Sequence, residues 1–155
     1  SALLGHLRAD ALILEGTLLA LDAEGRPDDG LLRRRLAAGR VTDEPAEGAF
    51  VASDVPWLEA ESLVRLPFVD RRRRLASVLE DSDHAVVGRG IVGEGRMLGR
   101  AVAPLGLSAI SARRLDARWK SGPAGDAWLR LPVIETPTTR TSPFLVLMER
   151  LPLGE

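Results

Sequence analysis

The chain has 155 residues, 45% of them apolar and 28% charged, which is enough to bury a core within a single domain. It contains no Cys, so disulfides, thiolate metal sites and cysteine nucleophiles are excluded. No apolar run reaches bilayer-crossing length and no signal-peptide pattern appears, so a cytoplasmic protein with no membrane partner is expected. The 21 basic and 22 acidic side chains nearly cancel, so gross charge does not announce a nucleic-acid binder.

All basic residues but one are Arg; the exception is Lys120. Arg holds its proton at any ordinary pH, so side-chain amine chemistry in this sequence can use only Lys120. Positive charge gathers in residues 98–133, where Arg100, Arg113, Arg114, Arg118, Lys120 and Arg130 face only Asp116 and Asp126. A phosphate-bearing partner is expected at that end.

The elements follow in chain order. Residues 11–21 read as a strand with Leu12, Leu14, Leu18 and Ala20 on one face, and Gly16 marks a bulge or a close backbone approach. Pro27-Asp28-Asp29 opens a short helix with Leu32 and Leu36 on its inner side, ended by Gly39. A polar loop at 40–48 leads to a second strand at 49–55. Pro67 begins a helix to about Glu80, with Phe68, Leu75, Val78 and Leu79 as its buried stripe. Its run Arg71-Arg72-Arg73-Arg74 wraps round the axis and reads as solvated arginines with some snorkelling. A short strand at 84–87 precedes a helix at 94–105, where Met97, Leu98, Ala101, Val102 and Leu105 recur at helical spacing and Gly106 is the stop. Strands are expected at 107–112, 126–133 and 144–150, with a Thr- and Pro-rich connector at 137–143. This irregular order favours α+β with largely antiparallel sheets and flanking helices.

Gly88-Arg89-Gly90-Ile91-Val92-Gly93 spells G-x-G-x-x-G after a short apolar strand and before a helix, with Asp116 further on. Such a turn cradles a pyrophosphate on backbone N–H groups at a helix N-terminus, so a dinucleotide-binding protein is one reading. The brevity of the strand before it and the lack of a βαβ rhythm upstream count against it.

Four stretches in order resemble the second half of the adenylation (nucleotidyltransferase) domain of ATP-dependent DNA ligases. Leu14-Glu15-Gly16-Thr17 with Ala20-Leu21-Asp22-Ala23-Glu24-Gly25-Arg26-Pro27 resembles the family's Asp-Gly-Glu strand. Ser53-Asp54-Val55, then Leu66-Pro67 and the arginine run before Leu75, resembles its Phe-Asp-Leu strand and following helix. Ser108-Ala109-Ile110-Ser111-Ala112-Arg113-Arg114-Leu115-Asp116 resembles Glu-Gly-Val-Val-Ala-Lys-Arg-Leu-Asp, and Asp126-Ala127-Trp128-Leu129-Arg130 resembles the closing Asp-Trp-Leu-Lys strand. The resemblance covers residues 11–133 and implies a ligase-type nucleotidyltransferase core lacking its N-terminal part. The expected domain is 1–134, with 135–155 as a connector and terminal strand packed on it.

The family resemblance also implies what is altered. A Lys in Lys-x-Asp-Gly, expected upstream of Ala11, carries AMP in the family; Lys120 stands elsewhere, so no catalytic residue is assigned. The nucleotide-binding positions correspond to Thr17 for the metal- and ribose-contacting Glu, Ser53 for the adenine-stacking aromatic, Ser108 for a second Glu, Arg113 for a phosphate-contacting Lys, and Arg130 and Pro132 for the closing lysines. Hydroxyls do not replace carboxylates for a hard divalent cation, and Ser53 has no ring face. Arg113 and Arg130 keep the charge that grips phosphate. No cofactor is therefore expected; ATP and Mg²⁺ belong to the case of retained activity.

Arg114, Arg118 and Lys120 are the expected DNA-binding residues. Trp119 and Trp128 offer ring faces to bases, though the resemblance implies core packing for Trp128. His6 and His84, far apart and without Cys, make no metal site. The leading reading is a ligase-like protein without catalysis, with a structural, nucleic-acid-binding or partner-binding role in DNA repair. The alternatives are a fragment of an active ligase whose nucleophile-bearing half is elsewhere, and the dinucleotide binder. Only Glu15 guards the Leu-rich first strand, so a homodimer or another chain completing the sheet is expected. The opposing possibility is that the strand at 144–150 covers that edge.

Overall fold

The computed structural model describes residues 5–23, 25, 27–38, 48–102, 109–123 and 125–133, and the backbone of 144–149. Its architecture is α+β, with two four-stranded sheets that are antiparallel except for one parallel pair. The expected Gly39, the loop at 40–47, Leu105, Gly106, Leu107, Ser108 and the connector at 137–143 lie outside the described residues.

The first sheet begins with β1 (Leu12–Ala20) and β2 (Gly48–Leu58), which pair antiparallel along nearly their whole length. Two register shifts, between Ile13 and Glu15 and between Glu15 and Gly16, bend this pair. A Cβ on Gly16 would run into the Val51 carbonyl oxygen and the Phe50 ring, so both expectations for this glycine hold. The alternation expected for β1 holds only in part. Leu12 and Leu14 pack on the core, Ala20 is buried, but Leu18 is exposed, against expectation. Between the strands, α1 (Asp29–Ala38) starts where the Asp28 carboxylate accepts the Leu31 N–H at 2.8 Å. Its buried residue is Leu31, and Leu36 is exposed, so the inner side is rotated from the expected Leu32 and Leu36.

After β2 the chain turns at Glu59, whose φ is 52°, into the short β3 (Glu61–Ser62). The helix α2 (Phe68–Val78) then covers the sheet, and β4 (Ala85–Val87) pairs parallel with β2. Ala52, Val55, Leu63, Leu75, Leu79 and Ala85 form the first core, between this sheet and α2. The buried stripe of α2 is Phe68, Arg71, Leu75 and Val78. Arg71 is 2% exposed, which corrects the reading of the arginine run as uniformly solvated. Spacing explains this: Arg71 lies three residues after Phe68 and four before Leu75, on the inward face. Arg72 is also drawn in and donates to the carbonyls of Ala52, Ser53 and Gly88. Desolvation pulls its guanidinium below the ordinary value, opposed by Asp54 and reinforced by Arg113.

The second sheet has the order β5 (Gly90–Val92), β8 (Phe144–Glu149), β6 (Ala109–Arg114), β7 (Trp128–Pro132). The glycine pattern is thus not a phosphate-cradling turn. Gly88 closes the β4 side, donating its N–H to Ala52, and residues 90–92 are a strand paired with β8. Backbone committed to a ladder does not wrap a pyrophosphate, so the dinucleotide reading is set aside. The helix α3 (Gly95–Val102) packs Leu98 and Val102 on Ile110 and Ala112 of β6 and on Val133, while Met97 is exposed. Strand β8 lies between β5 and β6, within the second sheet, so it does not cap β1.

Candidate functional site

Strand alternation decides what β6 offers to each side. Ile110 and Ala112 enter the second core, so Ser111 and Arg113 point the other way, toward the first sheet. There Arg113 donates to Glu15 Oε1 of β1 at 2.7 Å and to Asp54 Oδ2 of β2 at 3.5 Å. Arg71 reaches the same carboxylate from α2: Nε to Oδ1 and Nη2 to Oδ2, both at 2.8 Å. The Val55 N–H adds a second bond to Oδ1 at 2.8 Å. The second oxygen of Glu15 accepts the Trp119 indole N–H at 2.7 Å. Every oxygen of both carboxylates therefore has a donor.

The guanidinium of Arg113 also lies 3.5 Å from the centre of the Trp128 ring and 5.2 Å from that of Phe68. Trp128 is pinned a second time, its indole N–H donating to Ser111 Oγ at 3.1 Å. Arg113 is 6% exposed, and its Nε is buried without a partner.

The connection from β6 to β7 arches over this group. Trp119 donates its backbone N–H to Val64, Val69 donates to Leu115, and Arg71 donates to the Ala117 carbonyl at 3.2 Å. A half-open cavity of about 270 Å³ remains between the connection and the two sheets. Glu15, Asp54, Arg71 and Arg113 form its floor, and Arg114, Arg118 and Lys120 line its mouth. Arg114 is bonded to Asp116 at 2.8 Å and to Asp126 at 3.4 Å, and these partners hold its pKa above the ordinary value, Asp116 first. The same bond lowers the pKa of the Asp116 carboxyl. Arg118 and Lys120 are exposed and have no acidic partner among the described residues.

The expected site residues thus divide. Arg114, Arg118 and Lys120 come together at one mouth, with Arg113 beneath them. Thr17 is exposed on β1, and Arg130 is exposed on β7 opposite Ser111; neither lines the cavity. Ser53 is buried, its hydroxyl donating to the Glu15 carbonyl at 3.2 Å. Ser108 lies outside the described residues. Reading the sequence as a set of surface sites missed Glu15, Asp54 and Arg71 as the floor. The available signals were an acid within the apolar run of β2 and an Arg on the apolar stripe of α2.

Mg²⁺, which the family resemblance implies together with ATP, does not fit this floor. Both carboxylates are saturated by arginine and indole donors, and no group of three or more His, Asp or Glu among the described residues is arranged to hold a metal. Lys120 stands at the mouth rather than on the floor.

No protein-family model matches the chain. It is 31% identical over 138 residues to the DNA ligase of Thermococcus fumicolans, covering 84% of this chain and 25% of that protein. It is 28% identical over 129 residues to the multifunctional non-homologous end joining protein LigD of Mycolicibacterium smegmatis, and 32% over 120 residues to LigD of Pseudomonas aeruginosa. These alignments cover 83% and 76% of this chain, but only 16% and 14% of those proteins. The chain therefore spans a quarter or less of each of these relatives. These matches make the chain a homologue of one segment of the ATP-dependent DNA ligases, and its α+β architecture fits a partial domain of that family.

Proposed function

We propose that this chain is a ligase-like module that does not transfer adenylate itself and that holds nucleic acid in DNA repair through the cationic mouth of its cavity. The saturation of Glu15 and Asp54 by Arg71, Arg113 and Trp119 carries this reading. Carboxylates already satisfied by buried guanidinium groups are poor ligands for a cation, whereas solvated cations at a mouth are ready for phosphate.

Two assays test it. Incubation with α-labelled ATP and Mg²⁺ or Mn²⁺ should leave the protein unlabelled; stoichiometric acid-labile AMP on Lys120 would overturn the inactive reading. Binding to a labelled DNA strand should weaken steeply with salt through counterion release, and absence of binding at low salt would reject the nucleic-acid role.

The length comparison favours a second reading, that the chain is part of an active ligase. Addition of a relative's upstream segment in trans should then produce AMP labelling of that segment. Self-association belongs to the same proposal, because β1 has a strand partner only in β2 among the described residues. Light scattering at micromolar concentration should give the mass of two chains; the mass of one rejects the dimer.

A further inference from the structure

We propose that the cavity takes an unpaired nucleotide of a DNA strand, its base stacked against Trp128 and its phosphates on Arg118 and Lys120. This rests on the nucleic-acid reading above and names the form of nucleic acid.

Trp128 is held as a platform. Arg113 lies against its ring at 3.5 Å and Ser111 fixes its indole N–H, so the ring has little freedom left to lose on binding. Yet the residue is 37% exposed and borders the cavity. A guanidinium drawn to the ring shows where its electron-rich surface already acts, and the exposed remainder is available to a base. Trp119, fixed by Glu15, lines the same space, and the two uncompensated cations stand at its mouth.

Size selects the ligand. A space of about 270 Å³ holds one nucleotide-sized group and cannot admit a paired double helix. A duplex meets Arg118 and Lys120 only from outside, while an unpaired nucleotide reaches both the cations and the ring. The indole N–H groups are spent inside the protein, so neither reads base edges. Stacking without edge contacts tolerates any base, and little sequence preference is expected.

The experiment compares a 12-nucleotide thymidine strand, a 12-base-pair duplex, and an abasic strand of the same length and charge, all at low salt with the intact protein. The thymidine strand should bind at least about tenfold tighter than either competitor and quench tryptophan fluorescence. Trp128→Leu should weaken the thymidine strand by about 5- to 100-fold and leave duplex and abasic strand unchanged, while Trp128→Phe should recover most of the loss. Because Trp128 backs Arg113, the abasic comparison on the unaltered protein keeps the test independent of how the variant folds. Equal affinity for the thymidine and abasic strands overturns the stacking proposal and leaves electrostatic binding intact. Failure of all three to bind overturns the nucleic-acid reading beneath it.

Discussion

Arg71 and Asp54 form a two-pronged ion pair, two N–H···O bonds of 2.8 Å, with the Arg side chain 3% exposed and the Asp side chain fully buried. One residue comes from the helix over the sheet and the other from the longest strand in the sheet. Through its remaining donors Arg71 also holds the Leu66 and Ala117 carbonyls, so helix, sheet and the β6–β7 connection meet at this residue.

Removing Asp54 leaves the buried Arg71 without a carboxylate, and removing Arg71 leaves Asp54 with only the long Arg113 bond and the Val55 N–H. Asp54→Asn and Arg71→Met should each lose about 3–5 kcal/mol, measured by urea unfolding. The Asp54→Leu/Arg71→Met double variant should recover part of that loss, since two apolar residues leave no orphaned charge. A double variant whose loss equals the sum of both singles would show that the pair does not act as a unit.

The bulge at Gly16 is a second sensitive point. Gly16→Ala places a methyl against the Val51 carbonyl and the Phe50 ring, where backbone must move to make room. A loss of about 1–3 kcal/mol is expected, read as a lower thermal midpoint. An unchanged midpoint would mean that β1 and β2 separate there at little cost.

Acid should act through Asp81. The Val87 N–H at 2.8 Å and, more weakly, Arg89 at 3.3 Å lower the pKa of its carboxyl. A lowered folded pKa means that the unfolded chain binds more protons in the acid range. The stabilisation is complete above the unfolded value of about 3.9 and is lost as pH falls through the folded value below it. Asp81→Asn should flatten the fall in stability below about pH 4, by a small amount because the carboxylate is substantially exposed. Identical acid profiles for the two proteins would remove Asp81 from the account.

The three cations at the cavity mouth should not contribute equally. Arg118→Ala and Lys120→Ala should each reduce the salt slope of DNA binding by about one. Arg114→Ala should reduce it by less, since Arg114 must first give up Asp116 and Asp126. Equal slopes for all three variants would show that those carboxylates do not compete with phosphate.

The sequence by itself determined most of the elements. Periodicity and punctuation located β1, α1, β2, α2, β4, α3 and the strand pair β6 and β7, because local sterics and one buried face leave a regular imprint. It also determined the cationic segment, since Arg114, Arg118 and Lys120 lie within seven residues of one another. Besides the short β3, three things escaped it. The glycine-rich run became β5 because its partner strand lies more than fifty residues later, and β pairing over such a distance leaves no local trace. The buried face of α1 turned on which side the sheet stood, and Leu18 stayed exposed although Ala20, on the same strand parity, was buried. The floor of the cavity depended on the tertiary structure most of all. Glu15, Asp54, Arg71 and Arg113 lie on four different elements, and no local pattern joins them. Only their convergence makes burial tolerable, because a carboxylate can leave water only where donors replace it on every oxygen.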